Sequence, residues 1–144
     1  CELPITQADD LARCGYKHLI VADPEAVPAG RYAKSWLSSQ RYNEGTLWQA
    51  VAARITPALD VRAALALIES DHDMVGIVYL SDHVSSQRTR ILIEPTADQQ
   101  PEIEYGAALI AVDSPSPDAS RFVEFVAGQK SRSTITRHGF GVPE

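Results

Sequence analysis

Cysteine is scarce in this 144-residue chain, which has only Cys1 and Cys14, so a disulfide-dense miniprotein is excluded. Pairing the two would close a short loop and would need an oxidising compartment; two thiols is the alternative left open. No apolar run approaches the roughly eighteen residues that span a bilayer, and no basic region followed by an apolar stretch opens the sequence. Any signal peptide is expected to have been removed or to lie upstream. Positive charge is also short: 13 Lys and Arg against 19 Asp and Glu give a net charge of −6. The basic residues are scattered, as in Lys130, Arg132 and Arg137, which argues against nucleic acid or an anionic membrane surface as partner. Repeats and low-complexity segments are absent.

Site signatures for metals and for hydrolysis are missing too. His18, His72, His83 and His138 stand far apart, without the short spacing of a zinc site. His72, among Glu69, Asp71 and Asp73, reads as a solvated turn after a helix, and no metal is expected. Ser81, Asp82 and His83 are the residue types of a nucleophilic triad, but three adjacent residues cannot face one another as a triad must, and there is no G-x-S-x-G elbow. Glu102 and Glu104 lie on one face of an expected strand and read as a solvated edge. The expectation is a protein that is not an enzyme.

What is present is a globular composition, 44% hydrophobic and 22% charged, long enough for one ordinary domain with a core. His18 to Ala22 is a short continuous apolar run suited to a strand buried on both faces. Asp23 to Gly30, with two prolines, turns the chain into a helix whose face carries Tyr32, Ala33, Trp36 and Leu37. Leu47, Val51 and Ile55 predict a second helix ended by Pro57. Asp60 is an N-cap before the stripe Val61, Ala64, Leu65 and Ile68. Residues 76–80 and 90–94 read as further strands, and residues 103–112 as a long strand interrupted by Gly106. Ser116 then caps a helix with Pro117 in its first position and Ala119, Phe122, Val123 and Val126 on one face, ending at Gly128. A last helix stops at Gly139. Strand and helix in repeated order predict an α/β fold with parallel strands and crossover helices.

Three positions could meet an anion. Ala29 and Gly30 open a helix after a buried strand, where unsatisfied amides carry local positive charge and need no basic side chain. Val61, behind its cap Asp60, opens another. In an open parallel sheet the loops at the carboxyl ends of the strands crowd into one crevice, and Tyr79, expected at the end of a buried strand, could reach it with its hydroxyl. Taken singly, each has a plain structural reading: an empty loop, a cap, a packed tyrosine.

The blocks VADPEAVPAGRYAK (21–34), LDVRAALALIES (59–70), GIVYLSD (76–82), IEYGAALIAV (103–112) and RHGF (137–140) resemble, in the same order, those of the periplasmic molybdate-binding proteins of ABC transporters. The resemblance runs from about Asp9 to Phe140. It implies a type 2 periplasmic-binding fold of two lobes, with a mostly parallel sheet flanked by helices, closing on molybdate or tungstate for delivery to a membrane permease. Carried over by motif, the ligands are the amide of Ala29 in P-A-G, the amide of Val61 in D-V-R and the hydroxyl of Tyr79 in G-I-V-Y. No resident cofactor is implied. Such proteins begin with most of a first lobe, whose two serine-bearing loops complete the cage, and no counterpart of it is found ahead of Cys1. The expectation is that residues 1–104 form the second lobe, partial at its start, that residues 105–144 are the return strand and terminal helices of the first lobe, and that the site is half present. The missing first-lobe polypeptide, or self-association through the C-terminal segment, would supply the rest. The location implied is the periplasm, or the outer side of a membrane through a lipid on Cys1. The alternative is a ligand-sensing or interaction domain of the same fold without a transport role.

Overall fold

The structure, a computed structural model, describes residues 4–110 and 116–142. The chain forms two compact units, Cys1–Pro101 and Glu102–Glu144.

In the first unit the organising element is strand β1, His18–Ala22. Leu19, Ile20, Val21 and Ala22 are at most 1% exposed, as a continuous apolar run on a doubly covered strand requires. It lies between β4, Ile55–Ala58, and β5, Met74–Gly76, in a parallel sheet of order β4-β1-β5. Leu19 pairs with Ile55 and Ala22 with Ala58; His18 pairs with Met74 and Ile20 with Gly76. Because side chains alternate across a strand, the two faces build separate cores. Leu19 and Val21 pack with Ala33, Trp36 and Leu37 of α2, Pro28–Ser39, and with Leu47 and Val51 of α3, Leu47–Val51. Ile20 packs with Ala58 and with Ala64 of α4, Val61–Ser70, flanked by Ile68, Met74 and Val78. A one-turn helix α1, Asp10–Arg13, precedes β1. The hairpin β2, Arg41–Tyr42, with β3, Gly45–Thr46, joins α2 to α3, turning at Asn43 with φ 51°.

Several boundaries differ from the sequence reading. Ile55 is not part of a helix: α3 ends at Val51, a 3₁₀ turn covers Ala52–Arg54, and Ile55 opens β4. Pro57 lies inside that strand opposite Val21. A proline is tolerated there because, among the described residues, β4 is an edge strand with no neighbour on its other side to need the missing N–H. The strand read over residues 76–80 stops at Gly76; the Ile77 amide still donates to the Ile20 carbonyl at 3.0 Å, and Leu80 already begins α5, Leu80–Val84. Residues 90–94 are no strand; Ile93 is half-buried against the α2-side core.

In the second unit, residues 103–110 have no ladder partner among the described residues and are exposed, in place of the expected long strand, whose residues 111 and 112 lie outside the described residues. Helix α6, Pro117–Ala127, forms as the periodicity predicts, and α7, Gln129–Arg137, forms ahead of the predicted stop at Gly139. Ser116 precedes α6 without a side-chain capping bond. The corner is set by Ser131, whose hydroxyl lies 2.7 Å from the Val126 carbonyl and 2.8 Å from that of Gly128. Gly139 follows α7 with φ 81°, the left-handed stop that favours glycine. Tyr105 meets Phe140 edge to face at 5.6 Å.

Candidate functional site

The three parallel strands fix where their exits fall. Each is followed within a few residues by the start of a helix: α2 after β1, α4 after β4, α5 after β5. Ala29 is the second residue of α2, Val61 the first of α4, and Tyr79 the residue just ahead of α5. Since the strands run in one direction, all three positions stand at the carboxyl end of one sheet, where ligands of open α/β folds sit.

Local contacts tie these exits together. Gly30 is pressed against the end of β1: a Cβ there would collide with the Ala22 carbonyl oxygen and lie 2.7 Å from both the Asp23 carbonyl carbon and the Pro24 nitrogen. The Asp23 amide donates to the Ala58 carbonyl at 2.8 Å, fastening the exit of β1 to that of β4. Asp60 caps α4 by accepting the Ala63 amide at 2.7 Å, as the sequence predicts. Arg62, on the first turn of α4, places Nε 3.9 Å from an oxygen of Asp82 on α5. The other oxygen of Asp82 accepts the Tyr79 amide at 3.1 Å.

The donors differ in character. First-turn amides of a helix have no intrahelical acceptor. At α2, Pro28 has no N–H, and Val27 ahead of it contributes no side-chain cap. At α4 the cap takes the amide of Ala63 rather than that of Val61. Val61 and Tyr79 are half-buried, Ala29 buried. Tyr79 does not end a buried strand, as the sequence suggested; it sits in the extended link between β5 and α5. Backbone amides, a phenolic hydroxyl and no basic side chain among the three make an arrangement suited to accepting charge through dipoles.

The sequence offers Asp82 as a cap or turn residue beside Ser81, without a place in the site. It is 6% exposed, a buried carboxylate joined to both neighbouring turns. The signal was present in its spacing: an acid three residues after the position ahead of a helix is placed to accept that position's amide. The exposed turn Asp71, His72 and Asp73 brings possible ligand atoms within 4.8 Å of one another. His72 Nδ1 lies 3.4 Å from Asp71 and Nε2 3.7 Å from Asp73. The pairing of Cys1 with Cys14 concerns a residue outside those described; Cys14 is buried in the α2-side core. No helix among the described residues is long and apolar enough to cross a membrane.

Comparison with known proteins agrees with this architecture. The chain is 33% identical over 124 residues to the molybdate-binding protein ModA of Escherichia coli (strain K12), covering 86% of this chain and 46% of that protein. It is 28% identical to the putative ABC transporter substrate-binding lipoprotein YvgL of Bacillus subtilis (strain 168), over 95% of this chain and 50% of that one. The chain thus spans about half the length of these curated relatives. Among solved structures, the substrate-binding domain of a putative molybdenum ABC transporter from Clostridium difficile superimposes with a TM-score of 0.70 at 22% identity, covering 97% of this chain and 59% of that one. The Azotobacter vinelandii periplasmic molybdate-binding protein gives 0.70 at 21% identity, over 96% and 60%. The fold is that of this α/β binding-protein class. Residues 2–141 match the family described as bacterial extracellular solute-binding protein, and the chain belongs to that family.

Proposed function

We propose that the chain supplies one wall of a cleft that binds molybdate or tungstate and presents it to an ABC permease, on the outer side of the cytoplasmic membrane. The ligand contacts on this wall are the amides of Ala29 and Val61 and the hydroxyl of Tyr79. The observation that supports this reading most is that all three follow neighbouring strands of one parallel sheet. The similarity to molybdate-binding proteins over nearly the whole chain points the same way.

Neutral donors suffice in a chain of net charge −6 because overall charge governs steering more than local affinity. A cage of donors only selects a fully deprotonated tetrahedral dianion; protonated phosphate needs an acceptor it does not find there. Three bonds to a charged acceptor contribute about 4.5–9 kcal/mol, against an association cost of about 4–15 kcal/mol. One wall alone therefore binds at millimolar strength or weaker. Tight binding needs a second wall, the counterpart of the first lobe, on which the terminal helices α6 and α7 would pack.

On the second unit, Phe122 and Phe125 of α6 are 65% and 53% exposed, an apolar face that favours cover. First-lobe polypeptide would cover it, and in its absence a second copy of the chain.

The test is an amide-resolved NMR titration of the chain with sodium molybdate, using sodium chloride of matched ionic strength as control. The expected result is that the amides of Ala29, Val61 and Tyr79 shift along one common curve at millimolar molybdate. Equal shifts with chloride, or no shift at these three positions, would overturn the reading.

A further inference from the structure

Asp82 is a charged side chain, 6% exposed, that the proposed ligand set does not use. A buried carboxylate is costly to retain unless its oxygens are engaged. Here one oxygen accepts the amide of Tyr79 at 3.1 Å and the other faces Nε of Arg62 at 3.9 Å. Tyr79 is one proposed ligand; Arg62 directly follows another, Val61. A single carboxylate thus spans two of the turns that carry the oxyanion donors.

We propose that Asp82 is a positioning residue for oxyanion binding: by accepting the Tyr79 amide it fixes the turn ahead of α5, so that the Tyr79 hydroxyl addresses the anion that the Val61 amide also meets. This rests on the reading of Ala29, Val61 and Tyr79 as ligands. Asp82 itself does not touch the anion, which it would repel. The two bonds are unequal. The Tyr79 amide bond is part-buried, whereas the Arg62 side chain is 74% exposed, and an ion pair so open to water contributes little. The acceptor function of Asp82 therefore matters more than its charge.

That inequality separates positioning from a general effect of charge or folding. Asp82→Asn keeps a carbonyl oxygen for the Tyr79 amide; Asp82→Ala keeps none. Molybdate affinity is read by the same NMR titration for the unchanged chain, both variants, Tyr79→Phe and the double variant Asp82→Ala with Tyr79→Phe. The expected pattern is an affinity about tenfold weaker for Asp82→Ala, recovery to within about threefold for Asp82→Asn, and little further loss when Tyr79→Phe is added to Asp82→Ala, because coupled residues are non-additive. Hydrogen exchange at the Tyr79 amide should be fast in Asp82→Ala and slow in Asp82→Asn. Asp82→Ala with unchanged affinity, an equal loss in Asp82→Asn, or fully additive losses would each overturn the proposal. If Tyr79→Phe alone leaves molybdate affinity unchanged, the ligand reading itself falls, and this inference with it.

Discussion

The amide of Asp23 donates to the carbonyl of Ala58 at 2.8 Å, so the parallel pairing of β1 with β4 is continued one step beyond the strands. Its consequence lies just downstream: the chain leaves these two clasped ends for the helices that begin with Pro28 and Val61. Both helices therefore start from the carboxyl edge of the sheet, α2 over the Leu19 and Val21 face and α4 over the Ile20 face.

Gly30→Ala tests that setting. The added methyl group would collide with the backbone at the end of β1, and backbone cannot yield as a side chain can. A loss of about 1–3 kcal/mol is expected, the usual range for overpacking, read as a lower urea midpoint with the slope unchanged. An unchanged midpoint would mean that the start of α2 is free to move off the strand.

Asp60→Ala removes the acceptor of the Ala63 amide. Thermal unfolding should show a loss of about 1 kcal/mol, with Asp60→Ser recovering most of it, since serine caps nearly as well. The amide of Ala63 should then exchange faster with solvent.

Arg54 ties the end of α1 to the core. Its guanidinium donates to the carbonyls of Cys14 at 2.6 Å and Ala12 at 2.8 Å and lies 4.6 Å from the centre of the Tyr16 ring. Tyr16 donates its hydroxyl to the Leu11 carbonyl at 2.7 Å. Burial pushes the Tyr16 hydroxyl above the ordinary tyrosine value, with the Arg54 charge opposing the shift. In the unfolded chain Tyr16 ionises at about pH 10, so the unfolded state loses its proton first as pH rises. The stabilisation is therefore complete below about pH 10 and is lost as pH climbs through the raised folded value. Denaturant midpoints against pH should fall at the alkaline end, and Tyr16→Phe should flatten that fall.

How much of this was legible beforehand follows from the type of signal. Strand β1 and helices α2, α4 and α6 are plain because burial on both faces and helical stripes are written in consecutive residues, and α7 because Gly139 marks its stop. Ile55 was misread because it continues a helical spacing from Leu47 and Val51; pairing with β1, a non-local event, converts it to a strand. Residues 90–94 and 103–110 have apolar strand composition but no ladder partner among the described residues, and composition cannot supply a partner. At the site, Ala29, Val61 and Tyr79 were named from motif and helix-start chemistry, while Asp82 was missed because its burial depends on α4 and α5 meeting.

The exposed phenylalanines of α6 give a prediction about association. Sedimentation of the chain at rising concentration should show reversible self-association, weakened by replacing Phe122 and Phe125 with serine. A monomer at all concentrations would contradict it.

The shared-anion claim is tested most directly by soaking crystals of the chain in sodium tungstate and locating the metal by its anomalous scattering. One peak is predicted at the carboxyl end of the sheet, with its oxygens within hydrogen-bonding reach of the Ala29 amide, the Val61 amide and the Tyr79 hydroxyl. A peak elsewhere, or one reached by only one of these groups, would contradict the proposed site.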